Sequence, residues 1–197
     1  MEEEKTASAA TAGIGHAEAV GWDELPDIGL YMDQVTGYLN RLLSPLSPGR
    51  EDAPLTPSMI NNYVKSGHIA RPVMKKYSRE QLAALYMLCS LKKNLSITDA
   101  AALIYFLTGQ GGSRRAYSRF VERQRRTAEE VNRQIEALGP DPTDEVMTDL
   151  ALELVQRACA ERLAAESLIS QLILRDDTRR AQREARAERP DGEKEPD

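Results

Sequence analysis

Four helix-start signals recur along this chain, and they dictate a succession of helices rather than a sheet. Thr56-Pro57 sets a hydroxyl just ahead of a proline at a first helical position, where the missing N–H leaves nothing unpaired. Ser78-Arg79-Glu80-Gln81 fits a capping box, in which the hydroxyl and the Gln amide each satisfy an orphan backbone N–H. Ser96-Ile97-Thr98-Asp99 is a similar start with an acid in the first turn, and Asp141-Pro142 repeats the first pattern, with Asp141 as the expected cap. The stops agree: Gly67, the run GQGG at 109–112 and Gly139-Pro140 each break a helical stretch.

Apolar periodicity fills in the helices. Leu30, Val35, Leu39, Leu42 and Leu43 give a stripe over 29–43, with Trp22 expected as a packing anchor against that first helix. SPLSPGREDAP at 44–54 reads as a loop, and PSMINNYVKS follows as a short helix. HIARPVMKKY at 68–77 holds a proline and β-tending residues, so it is expected to be extended or a small hairpin. Helices to Lys93 and through Leu107 come next, then two long ones over 113–138 and 143–175. The expectation is a mainly α protein in four parts: a disordered tail at 1–20, a head at 22–108, a helical arm at 113–175 and a charged disordered tail at 176–197, whose first part may extend the last helix.

Composition narrows the classes. Aromatics are 5% of the chain, so the core must be mostly aliphatic. Cys89 and Cys159 both sit in apolar helical contexts and are expected to be small buried hydrophobes, not a disulfide framework. No apolar run approaches ~18 residues, and the acidic start MEEEKTASAATAGIG lacks the features of a signal peptide. The expected location is the cytoplasm. His16 and His68 have no Cys, Asp or Glu cluster at ligand spacing, and GQGG lacks the Lys-Ser/Thr of a phosphate loop. Hence no enzyme, no metal and no cofactor are expected, and GQGG is expected to be a flexible hinge between head and arm.

The charge distribution is more specific than its sum. The chain carries net -5, yet from Ala53 through Arg79 there is no acidic residue. That stretch holds Lys65, Arg71, Lys75, Lys76 and Arg79, with His68 among them. The cations bracket a short helix and a hairpin, elements that enter a groove and grip the flanking phosphates. Ser58, Asn61 and Asn62 lie on the short helix, and an Asn amide can pair bidentately with adenine. These nine residues form the candidate DNA-binding set. A solvated positive face is the plain alternative for the cations, and exposed polarity for the asparagines.

The same residues carry a likeness. The stretch from Thr56 to Ile104 resembles the MerR-type winged helix-turn-helix, with Tyr63, Gly67-His68-Ile69, Tyr77-Ser78, Leu82, Leu85 and Ser96 to Asp99 at the matching positions. Two departures are that Asn61 stands where that family usually has a basic residue, and Asn62 where it has the first of two tyrosines. LPDIGLYMDQV at 25–35, LTPSMINNYVKSGHI at 55–69 and KKYS at 75–78 are similar to a bacterial family known as domain of unknown function 1836 (DUF1836), over about residues 22–175. This second resemblance implies the winged-helix assignment, with a small β-wing, but no known ligand or operator; duplex DNA as partner is what the MerR likeness and the cationic set imply.

In the arm, Tyr117, Val121, Gln124, Ala128, Val131, Ile135 and Leu138 follow one another by alternating steps of four and three, a heptad seam. Met147, Ala151, Leu154, Ala158, Ala165, Leu168 and Leu172 supply a second seam. Leu152, Val155, Cys159, Leu163, Ile169 and Ile173 fall on other faces. The two helices are expected to pack on each other as an αα-hairpin through the Gly-Pro turn; one partner helix cannot cover all of these residues, which points to a homodimer as well, with coverage by the head as the alternative. Two functions remain open: a bacterial transcriptional regulator of MerR-like type, or a protein-interaction adaptor that keeps the same head.

Overall fold

The computed structural model describes residues 20–44 and 55–187. Within them a single 3-10 turn, Trp22–Glu24, precedes α1 (Met32–Leu43), α2 (Pro57–Lys65), α3 (Arg79–Leu91), α4 (Ile97–Gly109), α5 (Gly112–Glu136) and α6 (Asp144–Ala187). The described residues contain no strand, only two isolated bridges, Leu30 with Tyr77 and Val73 with Lys76. The described residues thus show no β-wing; the segment expected to form it is a tight hairpin turn closed by the Val73–Lys76 bridge. The expectations for residues 1–19, for the loop 45–54 and for 188–197 lie outside the described residues.

Local chemistry sets the boundaries. The Thr56 hydroxyl accepts from the Met59 N–H at 3.3 Å, with Pro57 at the first helical position. Ser78 and Gln81 form the reciprocal box, the Gln amide oxygen accepting from the Ser78 N–H at 2.8 Å. The Ser96 hydroxyl oxygen takes the Asp99 N–H at 3.1 Å. α1 starts at Met32 rather than 29, because the Gln34 side chain turns back to accept from the Tyr31 N–H at 2.9 Å. α6 is capped by Thr143, not by the expected Asp141: the Thr143 hydroxyl takes the Val146 N–H at 3.4 Å, and Pro142 precedes the cap.

α3 is the central element. Leu82, Ala83, Leu85, Tyr86, Met87, Leu88 and Cys89 are all buried along it, and α1, α4 and α5 pack against it. Val35 and Leu39 of α1, Ile60 and Tyr63 of α2, and Ala100 and Ile104 of α4 complete one cluster. Asn40 ties α1 to the start of the α2 segment, its amide donating to the Leu55 carbonyl at 3.0 Å and accepting from the Leu55 N–H at 2.7 Å.

The core does not end at 108. Tyr117 of α5 is fully buried in it, and Phe120 and Val121 pack against it. The Tyr117 ring meets Trp22 edge-on at 6.0 Å and Tyr86 at 5.9 Å, and its hydroxyl donates to the Val20 carbonyl at 2.9 Å. Tyr86 in turn meets Phe120 at 6.2 Å and donates to the Gln124 amide oxygen at 3.2 Å. Trp22 thus anchors on α5, where α1 was expected. GQGG is a tight turn inside this packed region, with Gly111 at φ 154 and Gly112 at φ 79. A Cβ on Gly111 would fall 2.7 Å from the Arg115 Cδ.

α6 differs from expectation in length and in facing: it packs chiefly on α4, and not on α5 as the expected αα-hairpin would. It continues to Ala187, so residues 176–187 are helical and not a disordered tail. At about 1.5 Å per residue it is roughly 66 Å long. Its covered positions are Leu150, Leu154, Ala165, Ile169 and Ile173, whereas Leu168 and Leu172 face outward. Ile169 is 2% exposed, so it is not part of a surplus face. The covered side turns about the helix because α6 comes to lie against α4, where the Arg180 guanidinium donates to the Tyr105 hydroxyl at 2.9 Å.

Two outcomes follow. Tyr117→Ala should cost about 3–5 kcal/mol, the range for emptying a buried aromatic site, read as a fall in the urea midpoint; a change under 1 kcal/mol would contradict the packing. Cys89 is buried and its thiol is pushed up to about 11, whereas Cys159, expected to be buried, is exposed, because its side of α6 meets no other element among the described residues. Ellman's reagent at neutral pH should label Cys159 alone in the native chain and Cys89 only on unfolding.

Candidate nucleic-acid interface

α2 turns its buried side, Ile60 and Tyr63, toward the core. Ser58, Asn61, Asn62 and Lys65 stand at i, i+3, i+4 and i+7 on the opposite side and are exposed. Four polar side chains therefore share one helix face. The helix is held by its far end: Gly67 at φ +76 ends it, and the Ile69 N–H donates back to the Tyr63 carbonyl at 3.1 Å. The Tyr63 hydroxyl accepts from the Lys92 ammonium at 3.4 Å.

The hairpin grows from two buried residues, Ile69 and Tyr77. Tyr77 and Leu30 exchange both backbone bonds, at 2.8 and 3.0 Å. Gln81 donates to the Ala70 carbonyl at 2.7 Å. At the tip Val73 and Lys76 exchange bonds at 3.1 and 2.9 Å around a two-residue loop, Met74-Lys75, with φ 49 and 63. Two positive φ values describe a turn of the primed type that matches strand twist and ordinarily takes Asn-Gly. Non-glycine residues held there cost of order 1–3 kcal/mol each. Gly29 lets the preceding segment approach, since a Cβ there would lie 3.0 Å from the Lys76 Cβ.

The cations divide. Lys65, Arg71, Lys75 and Lys76 are exposed, and His68 is half-buried beside Gly67. The Lys76 ammonium sits over the Tyr31 ring, 5.2 Å from its centroid. Arg79 stands apart from the rest of the candidate set: its side chain is 20% exposed, lies over Trp22 at 6.0 Å and reaches Asp27 at 3.7 Å. It serves the core boundary, because a guanidinium stacks where an ammonium would stay in water. Glu80, the one acid between 53 and 93, is held below its usual range, chiefly by the hydrogen bond with the Ser78 side chain. The patch thus keeps one fixed negative charge at its edge.

Sequence reasoning missed four participants. Tyr31 and Lys92 join the site through contacts distant in sequence. Val73 and Met74 form the hairpin tip, and their signal was present as two apolar residues ahead of two lysines. Among the described residues no group of three or more His, Cys, Asp and Glu is placed to hold a metal ion, and no helix is long and apolar enough to cross a membrane.

The sequence model of a family described as a domain of unknown function (DUF1836) matches residues 20–120. The match is shorter than the expected 22–175 and ends where the core does, at Phe120 and Val121. No curated protein and no solved structure matches the chain.

The division of the cations is testable in the absence of any ligand. Arg79→Ala should lower the melting temperature by several degrees through lost packing on Trp22. Lys75→Ala with Lys76→Ala should leave it nearly unchanged, apart from the weak hold of Tyr31 on Lys76. Equal losses from both variants would put Arg79 back among the free cations.

Proposed function

The chain belongs to the DUF1836 family, and we propose that it is a DNA-binding transcriptional regulator with a MerR-like winged helix-turn-helix head. The observation that carries this reading is the single exposed face of Ser58, Asn61, Asn62 and Lys65 on α2 beside a cationic hairpin. A helix of α2's size fits the major groove, and the two Asn amides are able to pair with adenine edges. Lys75 and Lys76 on the hairpin, with Arg71 nearby in sequence, suit the phosphates on either side.

Two heads are needed to read a two-fold site with half-sites about 34–36 Å apart. The reading therefore includes a homodimer through α6. Leu152, Val155, Cys159 and Leu163 recur at helical spacing on α6 and are all exposed. This face replaces Ile169 and Ile173 as the dimer surface, because those two are covered within the chain. Leu152→Glu with Leu163→Glu should shift the sedimentation-equilibrium mass from two chains to one; a wild-type chain that is already monomeric at micromolar concentration refutes the dimer.

Salt dependence tests the DNA reading. Lys75→Ala with Lys76→Ala should weaken binding to all duplexes and make the slope of log affinity against log salt shallower by roughly 0.9 per lost contact. Asn61→Ala or Asn62→Ala should cost about 1–3 kcal/mol on the preferred site alone. Should wild type bind no fragment of its own genome beyond ordinary non-specific affinity at ~50 mM salt, the head is a protein-interaction adaptor instead.

A further inference from the structure

The hairpin tip carries two costs that the fold itself does not require. Met74 and Lys75 are held at positive φ without a glycine, and Val73 and Met74 are 74% and 88% exposed. Asn-Gly would relieve the first cost and any polar residue the second. A chain that retains strain and exposed apolar surface at one point is arranged for something outside itself. We propose that Met74, with Val73 beside it, is an apolar wedge that enters the minor groove of duplex DNA and unstacks a base step. This rests on the DNA-binding reading and deepens it, since phosphate contacts alone leave Met74 without a role.

Three observations narrow the partner to a duplex. The tip is rigid at its root. Val73 and Lys76 close the loop, Tyr77 and Leu30 tie it to the segment before α1, and Lys76 is held over Tyr31. A wedge must be held in this way, because a floppy loop would lose its ordering entropy on insertion. The tip is also narrow: a two-residue loop ending in an unbranched side chain suits a groove about 6 Å wide. Finally, the apolar pair runs directly into Lys75 and Lys76, both exposed. An apolar point bordered by ammonium groups matches a stack of base pairs rimmed by phosphates. Apolar wedges of this kind open steps and kink the duplex by roughly 20–90°, most readily at flexible pyrimidine–purine steps.

The test uses the full chain and a duplex that the protein selects from a random pool, resynthesised with 2-aminopurine at each pyrimidine–purine step in turn. Wild type should raise the fluorescence several-fold at one step per half-site and bend the duplex, as read by end-to-end energy transfer. Met74→Asn should abolish both signals while leaving the salt slope intact. Asn tolerates this backbone conformation, so the variant should melt no lower than wild type, and a loss of signal is then not a loss of fold. Met74→Leu, which keeps a long apolar side chain, should retain the fluorescence rise. Unchanged fluorescence and bending with Met74→Asn overturn the wedge and leave the DNA reading standing. Failure of wild type to retain any duplex from the pool overturns both. Binding of anionic phospholipid vesicles that Met74→Asn abolishes, with unaltered fluorescence on DNA, assigns the tip to a membrane surface and also overturns the wedge.

Discussion

Burial of Tyr117 is the contact on which the rest of the molecule depends. Its ring sits between Trp22 and Tyr86, and its hydroxyl reaches the Val20 carbonyl. Burial pushes that hydroxyl well above the ordinary tyrosine range, so it remains a neutral donor. One side chain of α5 thereby closes the core over α3 and fastens the start of the described chain. Once Tyr117 is in place, α5 cannot swing as a detached arm, and the glycines at 109–112 act as a turn. Gly111 and Gly112 supply the backbone angles that bring α5 back beside α4 within two residues.

That closure frees the opposite side of the head. α1, α4 and α5 all pack on α3, so α2 and the hairpin need only one buried side each. Ile60 and Tyr63 satisfy α2, and Ile69 with Tyr77 satisfy the hairpin. Met59 and Val64 add partial packing, and the polar face of α2 and the hairpin tip point outward without weakening the core. The polar face of α2 and the strained tip of the hairpin are therefore positions where the chain was able to place residues for reasons other than folding. The Met74 strain is tolerable because four backbone bonds below the tip fix its geometry.

What was legible in the sequence was local. Thr56, Ser78 and Ser96 were readable as caps because a cap bonds to a residue three positions on. The candidate set was readable as a group because four of its members share one helix face and the rest follow in a short acid-free stretch. What was not legible depended on partners far along the chain. Tyr117 fits a heptad seam as well as it fits the core, and periodicity alone cannot say which neighbour receives it. Ile169 and Leu168 are adjacent, and only the change of partner along α6 decides which is covered. Arg79 looked like its fellow cations until Trp22 and Asp27 came beside it. How far the last helix runs past 175 was left open by the sequence, because 176–187 hold no large apolar residue. Spaced pairs such as Arg180 with Asp176 support it, and no proline intervenes before Pro190.

The charge layout bears on the proposed function in a way that the site alone does not. The chain is acidic overall, yet 53–79 is purely basic. A polyanion meets no carboxylate along that stretch. Under the DNA reading, this layout favours encounters through that stretch before any contact forms. It also keeps non-specific affinity low, because only a few phosphates are neutralised per head. Discrimination must then come from contacts that charge does not provide. On this head those are the Asn pair of α2 and, if the wedge enters, the ease with which a particular base step opens. The second of these reads sequence through deformability and not through base edges, so a head with few cations and only two amides still has a means of choosing its site.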